Sequence, residues 1–181
     1  MSPSYDVIII GTGPAGIFAA LEFIKNPRLK ILMIEKGSDI KDRNCPITGT
    51  SVPCVKCELC SILCGWGGAG AYSDGKLTLT SEFGGWLKEY VSEEALAVLI
   101  EYVDSVYRFF GAGGDIHGQD KDALDRLKRK AAGYNLELIP ALIRHIGTEV
   151  CGEVLRKIRD ELDGKVDLIF DSPVQQIQTI D

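Results

Sequence analysis

Three clusters of residues have types and spacings that could do chemistry. The first is Gly11-Thr12-Gly13-Pro14-Ala15-Gly16, a G-x-G-x-x-G hexad with Glu35 nineteen residues after its last glycine. The second crowds Gly65, Gly67, Gly68, Gly70 and Gly75 into one short stretch. The third is a cysteine run, Cys54, Cys57, Cys60 and Cys64, with Cys45 upstream. The chemistry of the hexad is phosphate binding. Its first glycine permits a tight turn, its second lets a pyrophosphate reach the backbone, and its third lets a helix pack closely on a strand. Pro14 and Ala15 would then open a helix whose N-terminal amides and dipole favour phosphate. Glu35 is expected to accept hydrogen bonds from ribose hydroxyls, and its charge opposes a 2′-phosphate. The ligand expected from spacing alone is therefore FAD or NAD rather than NADP.

The cysteine run has C-x2-C-x2-C-x3-C spacing, which can bring successive thiolates onto one inorganic centre. Cys45, Cys54, Cys57 and Cys60 form one ligand set, and Cys64 is the other candidate fourth ligand. Gly65 follows Cys64 where ferredoxins carry proline. Three readings stand side by side: a [4Fe-4S] cluster, structural zinc, and reduced or redox-active thiols. In a helical run, Cys57, Cys60 and Cys64 would share one stripe. The glycine-rich stretch has backbone that can adopt left-handed angles and approach a flat ligand closely. Its Ser73-Asp74-Gly75 end is turn chemistry.

The elements that must position these residues follow from periodicity. Residues 5–10 read as a β-branched strand buried on both faces, as in a parallel sheet. Ile17, Ala20, Leu21 and Ile24 recur at helical spacing until Asn26-Pro27, and residues 29–34 form a second strand, completing a right-handed βαβ unit. Ser92 caps a helix with the stripe Leu96, Leu99, Ile100, Val103, Val106 and Phe110. Residues 121–132 read as a charged amphipathic helix and 134–143 as extended chain bent at Pro140. A helix spans 148–162, with Val150, Val154, Leu155, Ile158 and Leu162 inward and Cys151 in the core. Residues 166–170 supply a third strand beside the second. The fold expected is α/β: an incomplete Rossmann-like sheet from 1–39 and 148–181, interrupted by a cysteine- and glycine-rich, partly helical insert over 40–147.

Composition limits the partners. Hydrophobic residues make up 45% of the 181 residues and charged ones 25%, and the net charge of -6 disfavours nucleic acid and anionic membranes. The apolar runs are too short to span a bilayer, and a secretory layout is lacking at the start, so a cytoplasmic protein is expected.

The GTGPAG hexad, Ala20, and Glu35-Lys36-Gly37 resemble the FAD-binding domain of two-dinucleotide-fold flavoproteins. The stretch from Gly65 through Lys76-Leu77, and Arg144-His145-Ile146-Gly147-Thr148, are similar to a group of FAD-dependent dehydrogenases within them. The resemblance covers most of the chain. It implies an FAD-dependent oxidoreductase, with this chain as the N-terminal part of a longer flavoprotein whose β-meander and final strand follow. It implies FAD contacts from Gly11, Gly13, Pro14, Ala15, Gly16, Glu35 and Lys36, from Gly67, Gly68, Ala69, Gly70 and Ser73 near the flavin and pyrophosphate, and from the backbone of Val174 at the adenine. Arg144 and His145 become catalytic candidates, since their segment approaches the flavin in such proteins and imidazole titrates near neutrality. NAD(P)H is a candidate electron donor, and the partner is a small-molecule substrate or a redox protein. A cluster in the cysteine run would give a flavin's electrons an exit. The alternatives are an iron-sulfur or zinc electron-transfer module with a structural βαβ unit, and an NAD-binding dehydrogenase.

Overall fold

A computed structural model of the chain describes residues 3–179. In chain order the regular elements are β1 (Val7–Ile10), α1 (Pro14–Phe23), β2 (Ile31–Ile34), β3 (Lys76–Thr78), α2 (Glu93–Phe109), β4 (Ile116–His117), α3 (Lys121–Ala132), β5 (Ile143–His145), α4 (Thr148–Leu162) and β6 (Asp167–Ile169). The chain divides into two compact units. One runs up to Ser73 and resumes at Gly152, and the other is Asp74–Cys151.

The first unit is built on a parallel sheet of order β1-β2-β6, with Val7 opposite Ile31 and Leu32 opposite Asp167. This is an α/β fold, an incomplete Rossmann-like sheet. Gly13 caps α1 and Pro14 occupies its first turn, where a missing N–H costs nothing. Ile17, Ala20 and Leu21 are the buried face of α1. β2 lies between its two neighbours and hides Ile31, Leu32 and Met33. β1 corrects the expectation of a strand buried on both faces: Ile9 is buried, but Ile8 and Ile10 are 55% and 51% exposed. β1 is an edge strand covered on one face among the described residues, and a β-branched run has the same spelling in either setting.

α4 contributes Val154, Leu155, Ile158 and Leu162 to the core from Gly152 onward. The fully buried Trp66 donates its indole N–H to the Leu155 carbonyl at 2.9 Å. Gly67 must be glycine there, because it has φ +84° and a Cβ would lie 2.6 Å from Leu155 Cδ1. The Arg159 guanidinium bonds Asp39 at 3.3 Å and sits about 6 Å from the rings of Trp66 and Phe170.

The second unit holds an antiparallel sheet of order β3-β5-β4, with Arg144 opposite both Leu77 and Ile116. Ser92 caps α2 as expected, its Oγ accepting from Ala95 N at 3.2 Å, and the structure adds a cap on α3, where Asp120 Oδ1 accepts from Ala123 N at 2.9 Å. The α2 stripe is largely the expected one, with Phe110 buried and Leu96, Ile100, Val103 and Val106 half-buried, but Leu99 is exposed and the polar Asp104 is buried. The expected extended segment 134–143 is irregular until β5 begins at Ile143. Pro140 has no N–H to donate to a ladder. Among the described residues no helix is long and apolar enough to cross a membrane.

Candidate functional site

The hexad joins the end of β1 to the start of α1. Gly11 has φ +95° and donates its amide to the Ile34 carbonyl at 2.8 Å. A Cβ on Gly16 would stand 2.0 Å from the Gly11 carbonyl oxygen, so only glycine allows this helix-to-turn approach. Gly13 differs, since a Cβ there would meet nothing within 4 Å. Pro14 and Ala15 are exposed beside it. Next to the turn, a cleft of about 260 Å³ opens between Ile10-Gly11, Ile34 to Lys36, and Ser172 to Val174. It lies outside the carboxyl ends of parallel strands, where open α/β sheets bind their ligands. The 172–174 wall is tied down by Ser172 N donating to Glu35 O and Asp171 N to Gly37 O, each at 3.0 Å.

The second glycine segment lies directly on the hexad. Gly67 N donates to Thr12 O at 2.9 Å, and a Cβ on Gly68, which has φ +62°, would stand 3.2 Å from Gly13 Cα. Gly68–Tyr72 forms a 3₁₀ turn with Ala69 and Gly70 exposed, closed by Ser73 Oγ donating to Gly70 O at 3.0 Å.

Two residues that sequence reasoning overlooked organise this contact. Arg43 is buried and donates to four carbonyls: Ser61 O and Ile62 O at 2.9 Å, Trp66 O at 2.6 Å and Gly68 O at 2.8 Å. Its guanidinium lies 4.8 Å from the centre of the Tyr72 ring, and Tyr72 OH donates to Arg43 O at 2.8 Å. Burial lowers its pKa, opposed by the charges of Tyr72, Glu35, Cys64 and Cys60. Thr12 is fully buried and faces Glu35. No sequence signal marks a lone arginine in irregular chain as the centre of a loop.

Glu35 is buried, and its carboxylate is occupied. Oε2 accepts from Thr12 N at 2.8 Å and Thr12 Oγ1 at 3.0 Å, while Oε1 accepts from Gly37 N at 2.8 Å and Gly65 N at 3.0 Å. Burial alone would raise its pKa, but these hydrogen bonds outweigh it and hold the group below the ordinary glutamate value. Lys36 is exposed at the cleft.

The cysteines do not form the expected ligand set. Among the described residues no three Cys, His, Asp or Glu side chains are gathered around one metal position, and all six cysteines are free. Cys54 and Cys57 are exposed, Cys45, Cys60 and Cys64 half-buried. Lys56, between the first pair, has φ +52°. Of the proposed helical stripe only one turn exists, with Cys64 N donating to Cys60 O at 2.9 Å. As arranged, these residues do not fit a cluster.

In the second unit Arg144 is not free for catalysis. It is buried on β5, with Nε and Nη2 donating to the Asp104 carboxylate at 2.6 and 2.9 Å and Nη1 to Gly114 O at 2.8 Å. This corrects its reading as a catalytic candidate: both faces of its guanidinium fork are spent on holding α2 and the 111–114 loop to the sheet. His145 is exposed, and its ring centroid lies 6.5 Å from that of His117. β4 and β5 thus bring together the only two histidines of the sequence. Nearby Asp74 pairs with Lys76 at 2.7 Å, whose hydrogen bond lowers the Asp74 pKa.

No family model matches the chain. A Clostridium beijerinckii protein described only as uncharacterized is 28% identical over 173 residues, 94% of this chain. The chain spans 25% of that relative's length. Solved structures similar to it include L-amino acid deaminase from Proteus vulgaris, with TM-score 0.39 and 13% identity over 94% of this chain and 40% of that one. Mycobacterium smegmatis Sdh1 in complex with UQ1 has TM-score 0.41 and 13% identity over 93% of this chain and 28% of that one.

Proposed function

We propose that this chain forms the FAD-binding part of a flavin-dependent oxidoreductase acting on a small molecule or a redox partner. The observation that carries this reading is the packing of Gly67-Gly68 against Thr12-Gly13, at the carboxyl end of a parallel sheet and beside the cleft. Two glycine segments in contact make a continuous stretch of bare backbone. Such a surface suits a long, flat, phosphate-bearing ligand better than it suits a nucleoside alone.

The residues present fit the group. Gly13 has open space where a side chain would be, which leaves room for a pyrophosphate against the amides that begin α1. The cleft has the scale of a nucleoside, with the Val174 backbone on one wall and Lys36 at its rim. Gly67 is buried beneath this surface and holds it to the hexad, Gly68, Ala69 and Gly70 extend it away from the cleft, and Ser73 closes their turn. Bound FAD supplies the electron-transfer chemistry. The chain's own part is to bind and orient: the hexad takes the phosphates, the cleft takes the adenosine, and the glycine turn sets how near the rest of the ligand lies to the backbone.

The test is titration of the 181-residue chain with FAD, followed by flavin fluorescence, with ADP and NAD as competitors. Saturable FAD binding displaced by ADP is expected. Binding of NAD without FAD would replace this reading with the dehydrogenase alternative, and binding of neither would end it.

A further inference from the structure

His117 and His145 are the two histidines of the whole sequence, and the fold sets their ring centroids 6.5 Å apart. Both side chains are exposed, so neither is there to fill the core. The backbone beneath them is shaped for close approach. β4 and β5 run antiparallel, with Ile116 opposite Arg144 and His117 opposite Ile143. Strand side chains alternate between faces, so His117, Ile143 and His145 share the face opposite to that of Arg144. The two histidines are diagonal neighbours across the strand pair, a separation that long side chains can span.

Glycine pins the chain on both sides of β4. A Cβ on Gly114 would stand 2.5 Å from the His145 carbonyl oxygen, and one on Gly118 2.0 Å from that of Ala141. Both glycines have left-handed φ, +95° and +89°. Only glycine therefore lets this two-residue strand lie so close to β5. From the buried face, Arg144 donates to Gly114 O at 2.8 Å while its other nitrogens are held by Asp104. The two imidazoles stand on a backbone fixed along both strands, which is what a preorganised pair of ligands requires.

Imidazole is a preferred ligand of borderline divalent metals such as Zn²⁺. On one tetrahedral ion with Zn–N bonds of about 2 Å, two imidazole centroids lie about 5 Å apart. Rotation of the two exposed side chains between staggered positions closes the difference. Among the described residues no third Cys, His, Asp or Glu joins the pair, so water fills the remaining positions. The local charge admits a cation. Lys76 is opposite His145 on β3, but its ammonium is paired with Asp74 at 2.7 Å, and the same carboxylate is within electrostatic reach of His145.

We propose that His117 and His145 form a two-histidine site for a divalent transition metal, Zn²⁺ first among them, on the exposed face of the antiparallel sheet. The bound ion clips the short β4 to β5. The site lies wholly within the 74–151 unit and is independent of the nucleotide reading of the other unit.

The test is NMR of the imidazole ring protons in the 181-residue chain, with free Zn²⁺ set by a metal buffer so that the cysteine thiols do not deplete it. Both histidines are expected to shift along one saturation curve, and excess EDTA to restore the starting spectrum. Because the two ligands act as a chelate, His117→Ala or His145→Ala should weaken Zn²⁺ binding at the remaining imidazole by about tenfold or more. Imidazole signals that do not move, two separate saturation curves, or single variants within about twofold of the native affinity overturn the proposal. Saturating Zn²⁺ should also raise the melting temperature of the native chain more than that of either variant. An equal rise, which the thiols alone would give, counts against the clip. Should a variant fail to fold, the titration of the native chain decides the proposal.

Discussion

Two buried arginines hold this chain together by different means. Arg43 meets carbonyl oxygens and the face of Tyr72, so its charge is spread over backbone dipoles. Arg144 meets the carboxylate of Asp104 through two bonds, and this pairing raises its pKa against the effect of burial. Removing one partner of such a pair leaves a buried charge without compensation. Asp104→Ala is therefore expected to destabilise the chain by about 3–5 kcal/mol, measured by denaturant unfolding. A loss below about 1 kcal/mol would mean that the pair behaves as a surface salt bridge. The identity of Arg144 was legible in the sequence as noteworthy, but its role was not. An arginine bound for a carboxylate inside the fold and one bound for a ligand are spelled alike, and Asp104 lies forty residues away.

At the scale of elements, the hexad separates two jobs that can be tested against each other. Gly16 is required by packing, since a Cβ would collide with the backbone of Gly11, whereas Gly13 has φ -69° and open space. Gly16→Ala should cost about 1–3 kcal/mol in stability by overpacking. Gly13→Ala should leave stability nearly unchanged and weaken FAD and ADP binding, because its methyl group would occupy the space assigned to the pyrophosphate. Thermal melts and nucleotide titrations of both variants check this. A Gly13→Ala variant that binds as the native chain does would move the phosphate site elsewhere. The βαβ unit, α3 and α4 were legible because helical and strand periodicity are local signals: residues 121–132 and 148–162 are helical as read. On α2 the burial of Asp104 was hidden, since a polar residue beside an apolar stripe carries no local signal of its distant partner.

At the scale of the whole molecule, apolar side chains stand open to solvent in the 74–151 unit. Trp86 is 77% exposed, Tyr90 81% and Phe109 81%, with Leu87 and Tyr134 also exposed. Singly scattered exposed apolar residues are ordinary on soluble proteins, whereas a contiguous patch binds apolar probes. The folded chain is expected to enhance the fluorescence of a hydrophobic dye such as 1-anilinonaphthalene-8-sulfonate while keeping a cooperative melt. Trp86→Ser combined with Tyr90→Ser should reduce that signal without lowering the melting temperature. No enhancement by the native chain would mean that these residues are covered in solution.

The sequence by itself determined the strand–hexad–helix–strand unit, the helices with clear caps, and the glycines whose conformations the turns require. These depend on neighbours within a few residues along the chain. Only the tertiary structure decided that the second glycine segment rests on the first, that Arg43 and Glu35 hold it there, and that Arg144 is spent on Asp104. It also decided that the two histidines meet across β4 and β5 and that the cysteines, for all their spacing, do not converge. Each of these depends on which distant groups fill a side chain's hydrogen-bonding capacity, and that accounting exists only once the chain has folded.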